Sequence, residues 1–294
     1  MSRDPDAPVA ELDAVTRTYG GVPVLDSASL AVEPGLTAVI GPNGSGKSTL
    51  LGVLAGTADP TAGAVRRPAV DGDGFDAADN ADNAGDASDA GDADDAVKPV
   101  GYLPQRVPFR EGFTARETLA FYARLIGANP DAALADVGLA DAADRRVEAL
   151  SGGMVRLLGI AQATLGDPPL VVLDEPASGL DPGMRERAFR TAAERAGAGT
   201  AVVVSSHNLD LVDDHADAVV VLARGRVVAA GDLDALCDEH GVAGASELYR
   251  AVTGDGGDGT DGESDGDRNG DSDRSDAEPG DERDAVHVTG VSRE

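Results

Sequence analysis

Lysine is almost absent from this chain. Of 24 basic residues only Lys47 and Lys98 are lysine; the rest are arginine. Cysteine occurs once, as Cys237, which excludes an internal disulfide and fits a reducing compartment. Tryptophan is missing, and aromatic residues make up 3% of the chain. With no basic stripe and a formal charge of −29, the side chains that attract phosphate backbones and stack on bases are lacking. Nucleic acid is therefore not an expected partner. Long apolar runs are lacking too: runs such as Val171-Val172-Leu173 and residues 216–223, the latter broken by Asp217, are short. Both fall far short of the roughly 20 residues that cross a bilayer, so no lipid insertion by this chain is expected. Residues 1–8 are polar and acidic, without the apolar core of a secretory leader.

Acid is what the chain has in excess. Its 53 carboxylate residues are mostly aspartate. A charge of this size repels itself at ordinary ionic strength. At 1 M salt the screening length is only about 3 Å, and the repulsion largely vanishes. The composition resembles that of proteins from salt-in halophiles, whose cytoplasm is molar in KCl. The charge is also unevenly spread. Residues 71–96 hold ten aspartates and no basic residue, and residues 254–294 hold 14 carboxylates against 4 arginines. Neither segment can bury a core, so an acidic disordered insert and an acidic disordered tail are expected.

Against this background one stretch stands out: Gly41-Pro42-Asn43-Gly44-Ser45-Gly46-Lys47-Ser48-Thr49. It reads G-x-x-x-x-G-K-[ST], in which glycines let successive N–H groups turn toward phosphate oxygens. The apolar run 36–40 before it reads as a buried strand. Leu50, Leu51 and Leu54 after it give a helix with an apolar face. The positive end of that helix faces the same anion. Lys47 can reach the terminal phosphates of such an anion, and the Ser48 hydroxyl can ligate Mg²⁺. A second motif, Asp174-Glu175, follows the apolar run 170–173. Beside a phosphate loop, Asp174 can hold Mg²⁺ and Glu175 can orient or deprotonate an attacking water. Taken alone, it reads more readily as an acidic turn after a strand, and its order and spacing with the other motifs reverse that preference. Tyr19, just before Gly20-Gly21, either stacks on an adenine ring or ends a strand half-buried.

The remaining pattern alternates strand and helix. Short strands are predicted at 9–12, 14–18 and 27–32, with a brief extended piece within 56–68. Residues 111–165 read as helical, with Thr114 and Glu117 forming a capping box, Asn129-Pro130 opening a second helix, and Ser151-Gly152-Gly153 opening a third. Strands at 170–173, 200–204 and 219–222 then alternate with helices at 182–196 and 209–214. A turn at Arg224-Gly225 returns residues 227–229, and two short helices follow. Such alternation implies an α/β fold with a largely parallel sheet.

Residues 9–253 resemble the nucleotide-binding ATPase subunit of an ABC transporter. Tyr19, the loop 41–49, Gln105 after Leu103-Pro104, Leu150-Ser151-Gly152-Gly153, Asp174-Glu175, Ser178-Gly179-Leu180-Asp181 and His207 stand in the family's order. The resemblance implies a P-loop ATPase core with an N-terminal antiparallel β part and an inserted α-helical subdomain at about 111–165. It implies that Gln105 senses Mg²⁺ and that His207 contacts the γ-phosphate. Ser151, Gly152 and Gly153 would bind ATP held by an opposite subunit, and Asp181 would bridge the two sites. The implied partners are a second ATPase subunit, most simply a second copy, and an integral membrane permease at the cytoplasmic face. Met154 stands where glutamine is usual, and Leu157 where arginine is usual, with Arg156 one place earlier. Met154 and the stretch Phe113-Thr114-Ala115-Arg116-Glu117 resemble the exporter-type branch. A cytosolic ABC ATPase, for instance of the iron–sulfur assembly type, is the alternative. A nucleotide-gated interaction module is a third reading, against which Glu175 argues.

The charge makes one expectation testable. The urea midpoint and ATP turnover should both rise as KCl is raised from about 0.1 M toward molar concentrations. Full stability and activity in dilute buffer would refute the salt-adapted reading.

Overall fold

The computed structural model describes residues 8–67 and 100–254. The predicted acidic insert at 71–96 and the tail beyond Gly254 lie outside the described residues.

Four runs rich in valine, leucine and isoleucine build the centre. They are β3 (Gly35–Ile40), β6 (Leu170–Leu173), β7 (Ala201–Ser205) and β8 (Ala218–Ala223), almost wholly buried along their lengths. Strands apolar on both faces suit a sheet covered on both sides. With β5 (Val100–Leu103) and β9 (Arg226–Asp232) they form a six-stranded sheet in the order β5-β6-β7-β3-β8-β9. Every pairing in it is parallel except β8–β9, which is the hairpin predicted at Arg224-Gly225. Side chains alternate across the sheet with the strand period of two. Leu36, Ala38, Ile40, Val171, Leu173, Val202 and Val204 face one core, whereas Val39, Leu170, Val172 and Val203 face another.

The second core is closed by an antiparallel sheet. Its strands are β1 (Ala10–Tyr19), β2 (Val22–Val32) and β4 (Ala62–Arg66), in the order β2-β1-β4. The helix α1 (Lys47–Leu54) is buried along Leu50, Leu51, Val53 and Leu54 against the same core. Here the structure corrects the sequence reading. The pieces expected at 9–12 and 14–18 are one strand, and β2 starts five residues before the expected 27. Ala14 and Ser27 adopt left-handed backbone (φ 47° and 51°), and the β1–β2 register shifts between Leu12 and Val15. Bulges of this kind re-aim a strand without ending it.

The first core is covered by helices: α2 (Ala115–Ala123), α3 (Pro130–Asp136), α4 (Gly152–Thr164), α5 (Pro182–Gly197), α6 (Leu209–His215), α7 (Leu233–His240) and α8 (Ala245–Thr253). Their starts are written in the sequence. Thr114 and Glu117 close a capping box, and the side chains of Asn129, Ser151 and Asp181 accept from first-turn N–H groups. The stretch 111–165 is less helical than expected. Between α3 and α4 it contains only 3₁₀ turns, Ala140–Ala142 and Val147–Ala149. No helix among the described residues is long and apolar enough to cross a membrane.

Phe189 of α5 is fully buried in this core and is among its largest side chains. Phe189→Ala should lower stability by about 3–5 kcal/mol, visible as a reduced urea midpoint. A loss under about 1 kcal/mol would show that the site collapses around the deletion.

Candidate functional site

Four neighbouring strands, β5, β6, β7 and β3, end side by side, and each delivers one chemical group just past its carboxyl end. Gln105 follows β5, Asp174-Glu175 follows β6, His207 follows β7, and the loop 41–49 follows β3. In open parallel sheets this edge is where ligands bind.

The loop after β3 is tightly shaped. A Cβ at Gly41 would overlap the carbonyl oxygen of Leu222 and lie 2.9 Å from Ser45 Oγ; one at Gly46 would lie 2.8 Å from the Val24 carbonyl oxygen. Gly46 (φ 105°) precedes α1 with no side-chain cap, so the first N–H groups of the helix remain available to an anion. Lys47 is 6% exposed, and its Nζ donates to the carbonyls of Gly41 (2.8 Å) and Pro42 (3.1 Å) across the loop. Burial lowers the Lys47 pKa from the ordinary lysine value, and the Glu175 and Asp174 carboxylates oppose that fall. Ser45 Oγ is buried and has no hydrogen-bond partner among the described residues. Asn43, Gly44 and Ser48 lie at the exposed mouth and Thr49 is half-buried. An ammonium, a glycine-rich turn, an uncapped helix start and a partnerless hydroxyl form a donor set that fits a polyphosphate.

Beside the loop, Glu175 is the meeting point. Its Oε2 accepts from Gln105 Nε2 at 3.2 Å, and its Oε1 lies 3.0 Å from His207 Nε2. Glu175 has left-handed backbone (φ 49°), a rare state for a residue with a Cβ. Asp174 is 2% exposed, and its Oδ1 accepts from Ser205 Oγ at 2.6 Å. The same Ser205 Oγ accepts from the Glu175 N–H at 2.8 Å. Among the described residues no cluster of three His, Cys, Asp or Glu side chains could hold a metal alone. The oxygen donors at hand are the Ser48 hydroxyl, the Asp174 carboxylate and the Gln105 side chain. This is a hard, sparse set that suits Mg²⁺ shared with phosphate oxygens.

Other predicted residues stand apart. Tyr19, at the end of β1, is 47% exposed, with the Arg17 guanidinium 4.6 Å from its ring centroid. Ser151 caps α4 through Met154 N (3.3 Å), and Asp181 caps α5 through Met184 N (3.0 Å). Neither hydrogen-bonds to the phosphate loop or to Glu175 among the described residues. Gly152 has open space around it, whereas a Cβ at Gly153 would overlap Met184 Sδ and lie 3.3 Å from Leu180. This start of α4 therefore packs on Leu180 and Met184, which flank Asp181.

Two residues were not singled out from the sequence as site residues. Ser205 is the lone hydroxyl ending an otherwise apolar buried strand, a signal that was available. Arg156 is 6% exposed, and its guanidinium donates to four backbone carbonyls: Pro104 (2.8 Å), Gln105 (2.8 Å), Asp174 and Glu175 (2.8 Å). Burial lowers its pKa from the ordinary arginine value, opposed by Asp174 and Glu175.

A phosphate cradle after β3, with imidazole after the adjacent β7 and acid after β6 beyond it, places the molecule among the P-loop nucleotide hydrolases. The ABC transporter family model matches residues 25–178. Nod factor export ATP-binding protein I of Mesorhizobium japonicum is 32% identical over 80% of this chain and 66% of its own length. The zinc import ATP-binding protein ZnuC of Halorhodospira halophila is 34% identical over 77% of this chain and 78% of its own length. A solved structure of an ATP-binding subunit of an ABC transporter superposes with a TM-score of 0.69 at 27% identity, over 83% of this chain and 99% of that one. The chain belongs to the ABC transporter family, as an ATP-binding and ATP-hydrolysing subunit.

Two glycines of the loop should separate sterics from backbone freedom. Gly41→Ala, which has no room for its methyl, should abolish ATP binding in a calorimetric titration. Gly44→Ala, with open space but φ 79°, should weaken folding or binding by about 1 kcal/mol. Equal affinities for the two variants would contradict the close packing at Gly41.

Proposed function

We propose that residues 9–253 form a Mg²⁺-dependent ATPase domain that powers an exporter from the cytoplasmic face of the membrane. In this reading the loop 41–49 and Tyr19 bind ATP, and Ser48, Asp174 and Gln105 hold Mg²⁺. The bound cation supplies charge neutralisation of the phosphate oxygens. Glu175 orients and deprotonates the attacking water, and His207 contacts the γ-phosphate. Ser151, Gly152, Gly153 and Asp181 act on the nucleotide of a second copy, so ATP closes a head-to-tail dimer and hydrolysis reopens it. The observation that carries the hydrolytic part is the Glu175 carboxylate held between Gln105 and His207, in the field of Lys47. A carboxylate fixed on both oxygens is a preorganised base.

The permease is supported by a surface that the ATPase chemistry does not need. The chain has nine Phe and Tyr residues, and four of them, Phe109, Phe113, Phe121 and Tyr122, line one open groove of about 370 Å³ beyond Gln105. Phe121 is 63% exposed and nearby Leu125 61%. Aromatic residues concentrated in one exposed groove suit an apolar helical segment of a partner. Export is supported by Met154 and the 113–117 stretch. Relatives bear both export and import names, so the direction rests on those residues. The acidic composition supports a working environment of molar salt.

Glu175→Gln should still bind MgATP and dimerise while turnover falls by about 10²-fold or more. Undiminished turnover would remove Glu175 from this role. The tagged chain, recovered from native membranes in molar KCl, should carry a multi-span membrane protein, and Phe121→Ala with Tyr122→Ala should lose it. Recovery only from the soluble fraction would favour a cytosolic ABC ATPase instead.

A further inference from the structure

Arg156 is a buried cation with no carboxylate ion pair among the described residues, since all four of its hydrogen bonds go to backbone carbonyls. Burying a guanidinium in this way is expensive, and the next two positions of α4 are filled by Leu157 and Leu158, which bury at no such penalty. The four carbonyls belong to two segments, Pro104-Gln105 after β5 and Asp174-Glu175 after β6. Only a planar fork spans two pairs of acceptors at once.

The contacts close a ring. Arg156 holds the Gln105 carbonyl, Gln105 Nε2 holds the Glu175 carboxylate, and the Glu175 carbonyl returns to Arg156. Glu175 is also the residue with left-handed backbone. Its N–H is fixed by Ser205 and its carbonyl by Arg156. Such a conformation persists only when its surroundings over-determine it.

We infer that Arg156 is a positioning residue: it holds Gln105 and Glu175 in register for hydrolysis and ties both to α4, so that displacement of α4 is felt at the base. The inference rests on the reading of Glu175 as the base. Arg156 sits on the helix that Ser151 caps, roughly 7 Å along its axis. A tilt of α4 relative to the sheet pulls the guanidinium from one carbonyl pair or the other. Either loss acts on Glu175, through Gln105 or through its own backbone.

The test is a double-mutant cycle on the full chain in molar KCl, reading steady-state ATP turnover and calorimetric MgATP affinity. Arg156→Lys keeps the charge but not the fork, so kcat should fall about tenfold or more while the ATP Kd stays within about twofold. In a Gln105→Ala background the same substitution should lower kcat by clearly less than it does in the wild type, because one of its two routes to Glu175 is already gone. Arg156→Gln, which keeps a planar amide donor, provides a second variant should Arg156→Lys melt early. Wild-type kcat in Arg156→Lys, a loss of affinity equal to the loss of kcat, or additive losses with Gln105→Ala would each overturn the inference. So would failure of both variants to fold, which would leave Arg156 a purely structural residue. Absence of ATP turnover in the wild-type chain would instead remove the underlying ATPase reading.

Discussion

The parallel register of β5, β6, β7 and β3 is the constraint on which the site depends. Leu103 pairs with Leu173, Leu173 with Val204, and Val39 with Ser205. The strand ends are therefore level, and the residue or two that follows each one reaches the same small volume. A slip of one residue in any of these pairings would turn that strand's core side chains to the opposite face and carry its chemical group out of reach. The apolar alternation that fixes the two cores is thus also what aligns Gln105, Glu175, His207 and the phosphate loop.

Within that frame two buried cations behave differently. Lys47 and Arg156 are both 6% exposed, and both donate to backbone carbonyls. Lys47 is a compact ammonium on a flexible stem whose hydrogen bonds, among the described residues, stay within its own loop, so it can exchange carbonyl oxygens for phosphate oxygens at little structural expense. Arg156 is a rigid fork joining separate segments, and it cannot leave one without disturbing the other. The lysine is suited to meeting a ligand and the arginine to transmitting strain, though both sit near the same pair of carboxylates.

Much of this was legible in the sequence because it is local. The glycine-lysine loop, the caps at Thr114, Asn129, Ser151 and Asp181, and the all-apolar strands each follow from neighbours within a few residues. What was not legible is long-range. Arg156 contacts a carbonyl 52 residues away, and Ser205 a carboxylate 31 residues away; no periodicity marks either. Ala14 and Ser27 carry no glycine signal, so the bulges that join the β1 pieces and extend β2 were invisible. The segment between α3 and α4 has enough alanine to look helical, yet it folds as 3₁₀ turns that tuck Ala142, Ala143 and Val147 into the core. Tertiary packing outweighed propensity there.

With Glu175 as the proposed base, its left-handed backbone (φ 49°) sets stability against activity at a single position. A side chain held there is destabilising by about 1–2 kcal/mol, a penalty that glycine does not carry. Any lineage released from the need to split ATP would find glycine or asparagine at this position stabilising, and drift would be downhill. Under the proposed role of Glu175, the base occupies a backbone state that glycine would hold at less energetic expense.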